Sequence, residues 1–300
     1  MRLYVCLLGM FAIAAAGARK TPKPSPVTAC KPDAGWNDPA KPQHVFGDTW
    51  YVGTCGISAL LVTSDKGHVL IDGATKEAAP QIEASVRALG FRVTDVRFIL
   101  ATHAHLDHAG GFARLQHDSG AVMVSRGADA DAIERGRGDR SDPQFTSIDG
   151  FPPVNNVRRI ADAEPLALGP LTLTAHATPG HTPGSTSWTW DSCQGTRCLH
   201  LAYVDSVSAI SDDEYRYTDE AQHPGVVAAF RQSMATVAAL PCDVLLTPHP
   251  FVSNMFGRLG AKPIEPLVDA NACRQFAAQA SGKLEERIAK ERVKPDEHNR

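Results

Sequence analysis

Residues 101–111 read ATHAHLDHAGG, with three histidines and an aspartate inside six positions, 103–108, after an apolar run and before two glycines. Each imidazole and the carboxylate needs a partner once it leaves water, so a packed core gains nothing from such a cluster. Metal ligation gives it a purpose. In extended or looped backbone, residues two apart share a side, so His103 and His105 can converge on one ion while Asp107 and His108 turn toward a neighbouring one. Zinc takes imidazole nitrogen at about 2.0–2.1 Å and usually four ligands, so four donors from one loop cannot close two sites. Two more histidines stand at strand ends among turn residues, His181 in TPGHTPGS and His249 in LLTPHP. The expected sets are therefore His103, His105 and His181 for a first metal, and Asp107, His108 and His249 for a second. His44, His68, His117, His176, His200, His223 and His298 carry no comparable signal.

Outward from the cluster, VRFILAT (96–102) reads as a buried strand feeding a ligand loop, with a helix beginning near Ala109. That order puts the polar cluster at a strand's C-terminal end, where α/β sheets commonly keep their sites. Upstream, residues 44–73 alternate apolar runs with Gly and Asp turns, the pattern of an antiparallel meander of about three strands. A helix follows over KEAAPQIEASVRALG, stopped by Gly90. Downstream come a strand over AVMVS, a short helix over GADADAIERG and a loop at 137–156. Strand-like LTLTAHATPGH, STSWTWDS and LHLAYVDS follow, then a helix at 225–240, the strand DVLL and a C-terminal helix. Strands interleaved with helices in both halves predict an α/β fold with two sheets between helical layers.

The 300 residues, 43% hydrophobic and 21% charged, suffice for one large domain, here expected over 31–300. A net charge of -3 with no basic stripe and no P-loop argues against nucleic acid and for a small-molecule partner. Residues 1–18 place Arg2 before an apolar run and a small-residue end, the pattern of a secretory signal peptide; 19–30 is a proline-rich, flexible lead. Cys6 leaves with the signal, and the six remaining cysteines of an exported chain imply bridges, with 15 possible pairings. The favoured set is Cys193–Cys198 across the short CQGTRC turn, Cys242–Cys273 and Cys30–Cys55.

The segments THAHLDHAGG, TPGHTPGS and TPHP resemble the metallo-β-lactamase superfamily over nearly the whole mature chain. The resemblance implies an αββα sandwich, two mixed β-sheets between helical layers, with two Zn2+ per chain at one edge. It also makes Asp72 in IDGA an outer support for the ligands. The chain is most similar to class B, subclass 3 β-lactamases: His103 stands where another subclass has Asn, and YVDSVSA offers Ser206 and Ser208 where the other subclasses use a ligand cysteine. GDTWYVGT, ATPGHTPGSTSWTW and LPCDVLLTPHP read alike in that group. What this implies is a periplasmic, monomeric hydrolase in which zinc-activated water opens the β-lactam of penicillins, cephalosporins and carbapenems, conferring antibiotic resistance. Asp107 would orient the water, Ser206 and Ser208 would bind the substrate carboxylate, and Trp50, Phe151 and the 137–156 loop would line the cleft. The alternative is a lactonase or glyoxalase II-like thioester hydrolase of the same fold, in which an aspartate at the position of Asp205 bridges the metals. On a regular strand Asp205 and Ser206 cannot both face the site. An iron persulfide dioxygenase fits less well, because both metal sets are complete.

Overall fold

The computed structural model describes residues 30–31, 33–260 and 263–293; the expected signal peptide and most of the lead lie outside them. Strands β1 (Gln43–Phe46), β2 (Thr49–Tyr51), β3 (Leu60–Val62) and β4 (His68–Ile71) pair antiparallel in succession, four where the sequence suggested about three. After α1 (Ala79–Ala88), β5 (Val96–Leu100) returns parallel to β4. Helices α2 (Leu106–Ala109) and α3 (Phe112–Ser119), β6 (Val122–Ser125), α4 (Gly127–Arg135) and the short β7 (Arg158–Arg159) complete the first half. The first sheet runs in the order β1 to β7.

The second sheet holds β8 (Pro165–Leu168), β9 (Leu171–Ala177), β10 (Thr186–Gln194), β11 (Arg197–Tyr203) and β12 (Val244–Leu246), with β12 parallel to β11 and the rest antiparallel. Helix α5 (Val226–Ala239) precedes β12, and α6 (Met255–Arg258) and α7 (Ala272–Val293) follow it.

Side-chain alternation assigns the layers. In β3, Leu60 and Val62 face the space between the sheets while Leu61 faces α1, α3 and α4; Val69 and Ile71 against Leu70 repeat this in β4, and Leu100 against Ile99 in β5. On the second sheet Leu201 and Tyr203 point inward and Ala202 outward onto α5 and α7. Strands buried on both faces read as continuous apolar runs, which is why period-2 patterning is faint in VRFIL and DVLL. The result is the expected αββα sandwich.

One boundary differs at the site. The helix expected near Ala109 starts at Leu106, so Asp107 and His108 sit on its first turn and His105, with φ -101° and ψ 155°, is the extended residue before it. The glycines after the motif allow close approach: a Cβ on Gly111 would lie 2.2 Å from the Gly73 carbonyl oxygen, and one on Gly110 2.8 Å from the Lys76 nitrogen. The favoured cysteine pairing is the one found, Cys30–Cys55, Cys193–Cys198 and Cys242–Cys273. Among the described residues, no helix is long and apolar enough to cross a membrane.

Candidate metal centre

β5 ends at Leu100 and delivers the extended residues 101–105, which put His103 and His105 side by side before α2 turns Asp107 and His108 toward β12. Asp72, just past β4, fixes this segment. Its Oδ1 accepts from the Thr102 amide at 2.8 Å, both oxygens accept from Thr102 Oγ1 at 3.0 and 2.8 Å, and Oδ2 also accepts from the Tyr203 hydroxyl at 3.0 Å. Asp72 and Ala74 hold left-handed φ of 62° and 52°, conformations that persist only where the surroundings over-determine them. The sequence reading of Asp72 as an outer support agrees with these contacts.

The rings of His103, His105 and His181 form a triangle with centroids 4.8, 4.8 and 5.0 Å apart. Each is tied on its outer nitrogen: His103 Nδ1 lies 2.8 Å from Asp205 Oδ1, His105 Nε2 is 3.0 Å from Asp142 Oδ2, and His181 Nδ1 is 3.0 Å from the Ser208 carbonyl. An outer N–H donated in this way leaves the inner lone pair for a metal and fixes the ring's orientation, the usual arrangement around ligating histidines. The second group is equally tight. Asp107 Oδ2 lies 3.2 Å from His108 Nε2 and 3.5 Å from His249 Nε2, and those two nitrogens are 3.4 Å apart. Two donors each about 2.1 Å from a tetrahedral ion stand roughly 3.4 Å apart, so the spacing fits a shared cation. All six expected ligands are thus brought together from three distant stretches.

The electrostatics favour a cation. Burial, then the neighbouring His108, His105 and His181, push His103 well below the usual histidine range; burial and His105 take His181 down to about 4, and burial and His108 do the same to His249. These imidazoles are neutral and ligand-ready. His108 is the exception: burial lowers it, but Asp107 and Asp72 on either side raise it to about 10. A buried His-rich group of this composition and spacing suits a divalent metal with nitrogen and oxygen ligands.

The centre floors a cleft of about 600 Å³. Ser206 and Asp205 both border it; Asp205 is fully buried, with its Oδ1 2.8 Å from the outer nitrogen of His103 and its Oδ2 without a hydrogen-bond partner. Ser208 also lines the cleft, yet its hydroxyl lies 3.1 Å from His181 Nδ1, so it buttresses that ring. Trp50 is a correction: it packs on β2 against His44, ring centroids 4.7 Å apart, away from the cleft walls, and the aromatics that line the cleft are Trp36, Phe251 and Phe276. Phe151 is likewise buried in the core under the first sheet, and Gln144 and Ile148 represent the 137–156 loop at the cleft. The sequence reading missed Asp142 and the far wall, where α7 contributes Phe276, Gln279 and Lys283. The apolar rim is the signal that α7, with Phe276 three residues past Cys273, could have offered. Of the remaining histidines, His44, His68, His117, His176, His200 and His223 lie outside the cleft lining, and His298 is outside the described residues.

Comparison with known proteins agrees with this geometry. The family model described as the metallo-beta-lactamase superfamily matches residues 52–194. Metallo-beta-lactamase MIM-1 from Novosphingobium pentaromativorans is 46% identical and superposes with a TM-score of 0.84, over 88% of this chain and 97% of that one. MEM-A1, a subclass B3 metallo-beta-lactamase from a soil metagenome library, is 41% identical with a TM-score of 0.83, over 86% of this chain and 99% of that one. Among curated proteins, a hydroxyacylglutathione hydrolase of Anaeromyxobacter dehalogenans is 35% identical over 131 residues, 44% of this chain and 41% of that protein, so the match spans well under half of that relative's length. Near-complete coverage of solved relatives at more than 40% identity, on the same sandwich, means that the chain belongs to the metallo-beta-lactamase superfamily and that its structural neighbours are subclass B3 enzymes.

Proposed function

We propose that the protein is an exported, zinc-dependent β-lactamase of the subclass B3 type, acting as a monomer in the periplasm on penicillins, cephalosporins and carbapenems and so conferring resistance to them. In this reading His103, His105 and His181 hold one zinc ion, and Asp107, His108 and His249 hold a second. The observation that carries it is the convergence of two three-donor groups, His103, His105 and His181 with ligand atoms within 4.8 Å of one another and Asp107, His108 and His249 with donors 3.2, 3.4 and 3.5 Å apart, together with a serine, not a cysteine, at 206. When bound, the metals supply Lewis acidity and a water acidified toward neutrality.

The chain's own residues do the rest. The Asp107 carboxylate, beside both groups, orients the attacking water and accepts its hydrogen bond. Water adds to the lactam carbonyl carbon, the ring C–N bond breaks, and the nitrogen leaves with a proton, giving a ring-opened carboxylate and amine. Ser206 donates its hydroxyl to the substrate carboxylate. Trp36, Ile210, Phe251 and Val252, all substantially exposed at the cleft edge, cover the apolar parts of the substrate and exclude water around the reacting bond.

The curated hydroxyacylglutathione hydrolases favour a second reading, hydrolysis of a glutathione thioester. Asp205 does not exclude it, since its Oδ1 lies 2.8 Å from the outer nitrogen of His103 while its Oδ2 has no hydrogen-bond partner and the residue borders the cleft. Three disulfides suit an oxidising compartment better than a cytosolic role. The deciding experiment gives purified mature protein nitrocefin and imipenem, with and without chelator, beside a lactone and a glutathione thioester. Chelator-sensitive opening of the β-lactams is expected; turnover of the lactone or thioester alone moves the assignment to the second reading.

A further inference from the structure

One buried carboxylate near the metal centre touches none of the six proposed ligands. Asp129 sits on the first turn of α4, 2% exposed, and no lysine or arginine pairs with it among the described residues. Its Oδ2 accepts from the Ala104 amide at 3.1 Å and from Thr182 Oγ1 at 2.7 Å, and its Oδ1 accepts from the Gly184 amide at 2.8 Å. Ala104 lies between His103 and His105, and Thr182 directly follows His181. A single side chain therefore bonds both loops that carry the three-histidine group. The approach is close: a Cβ on Gly184 would lie 2.4 Å from the Asp129 nitrogen, so the 181–184 turn rests directly on α4.

We propose that Asp129 is a positioning residue that clamps the His103–His105 loop to the His181 loop and so presets the three-histidine group for its metal. The inference rests on the reading that these histidines hold zinc. The chemistry explains the residue type: three donors converge on one side chain, and a carboxyl group offers an acceptor at both of its oxygens. An asparagine keeps one acceptor and turns an NH2 toward a donor; an alanine leaves the Ala104 and Gly184 amides buried without partners. Asp72, Asp142 and Asp205 each orient individual rings or the Thr102 turn, whereas Asp129 sets the distance between two loops that are 78 positions apart at Ala104 and Thr182.

The test measures zinc affinity by competition with a chromophoric chelator for the full mature protein, Asp129→Asn, Asp129→Ala and Thr182→Val, alongside thermal unfolding of each metal-free form. Substitution of groups behind metal ligands typically costs 10- to 100-fold in affinity. A loss of about that size at the three-histidine group is expected for Asp129→Asn, with a smaller loss for Thr182→Val, which removes one of the three bonds. The cobalt(II) absorption bands of Asp129→Asn should shift, because the ligand angles change while the ligands stay. Unchanged zinc affinity and unchanged cobalt bands in folded Asp129→Asn overturn the clamp. So does an affinity loss matched by an equal loss of metal-free stability, since that reports scaffolding alone. Should Asp129→Ala fail to fold, the other two variants carry the decision. Wild-type protein that binds no zinc overturns the metal reading and the clamp with it, whereas normal wild-type binding with unaltered variants removes the clamp alone.

Discussion

The side chains of the metal centre divide into those whose role follows from local spacing and those whose role depends on partners far along the chain. His103, His105, Asp107 and His108 announce themselves because four potential ligands in six positions have no other structural use. His249 is different: alone it is one histidine at a strand end, and its significance comes from the 3.5 Å approach of its Nε2 to Asp107 Oδ2. His249→Ala should leave the three-histidine group intact and remove one donor from the other, so one zinc per chain is expected by metal analysis, with β-lactam turnover cut by at least about 100-fold. Two zinc ions retained by the variant would contradict the assignment. Asp142 could not be read in the same way, since RSDPQ is an ordinary loop sequence and only the fold carries its carboxylate to His105 Nε2.

At the scale of elements, the sequence marked long or strongly patterned segments and missed short or irregular ones. α5 and α7 fall where the sequence suggested helices, but β7 spans two exposed arginines and has no pattern to read. The 137–156 loop is ordered by a contact invisible in its own sequence, the carboxylate of Asp212. Arg140 donates to it at 2.7 and 3.2 Å, and the Thr146, Glu214 and Tyr215 amides donate at 2.9, 3.0 and 2.8 Å. Burial raises the Asp212 carboxyl, yet Arg140 and these amides outweigh it and hold it well below its ordinary 3.8. A carboxyl lowered in the folded state stabilises above its unfolded value and loses that contribution as pH falls through the range below it. Asp212→Asn is therefore expected to destabilise the metal-free protein by about 2 kcal/mol at pH 7. The gap from wild type should narrow steadily as pH drops below about 4 in denaturant titrations; a pH-independent gap would assign the loss to packing.

For the whole molecule, the centre lies where the two sheets and three ligand stretches meet, so a bound metal would tie together stretches far apart in the sequence. A ligand bound only by the folded form raises stability by mass action. Chelation is expected to lower the thermal midpoint by several degrees, restored by zinc and not by magnesium, which prefers six oxygen ligands; an unchanged midpoint in differential scanning calorimetry would show that the donors close without a metal. The two-sheet layering and the cluster at 103–108 were legible from the sequence alone, because burial on both strand faces and ligand spacing are local patterns, whereas His181 and His249 drew their meaning from that cluster. Tertiary structure alone decided that Asp205 and Ser206 both border the cleft, with one oxygen of Asp205 on the outer nitrogen of His103, that Trp36 and α7 stand at its walls where Trp50 does not, and that Asp129 spans two loops. Those roles belong to pairs of residues brought together only when the sheets pack, and no spacing along the chain encodes a distance across it.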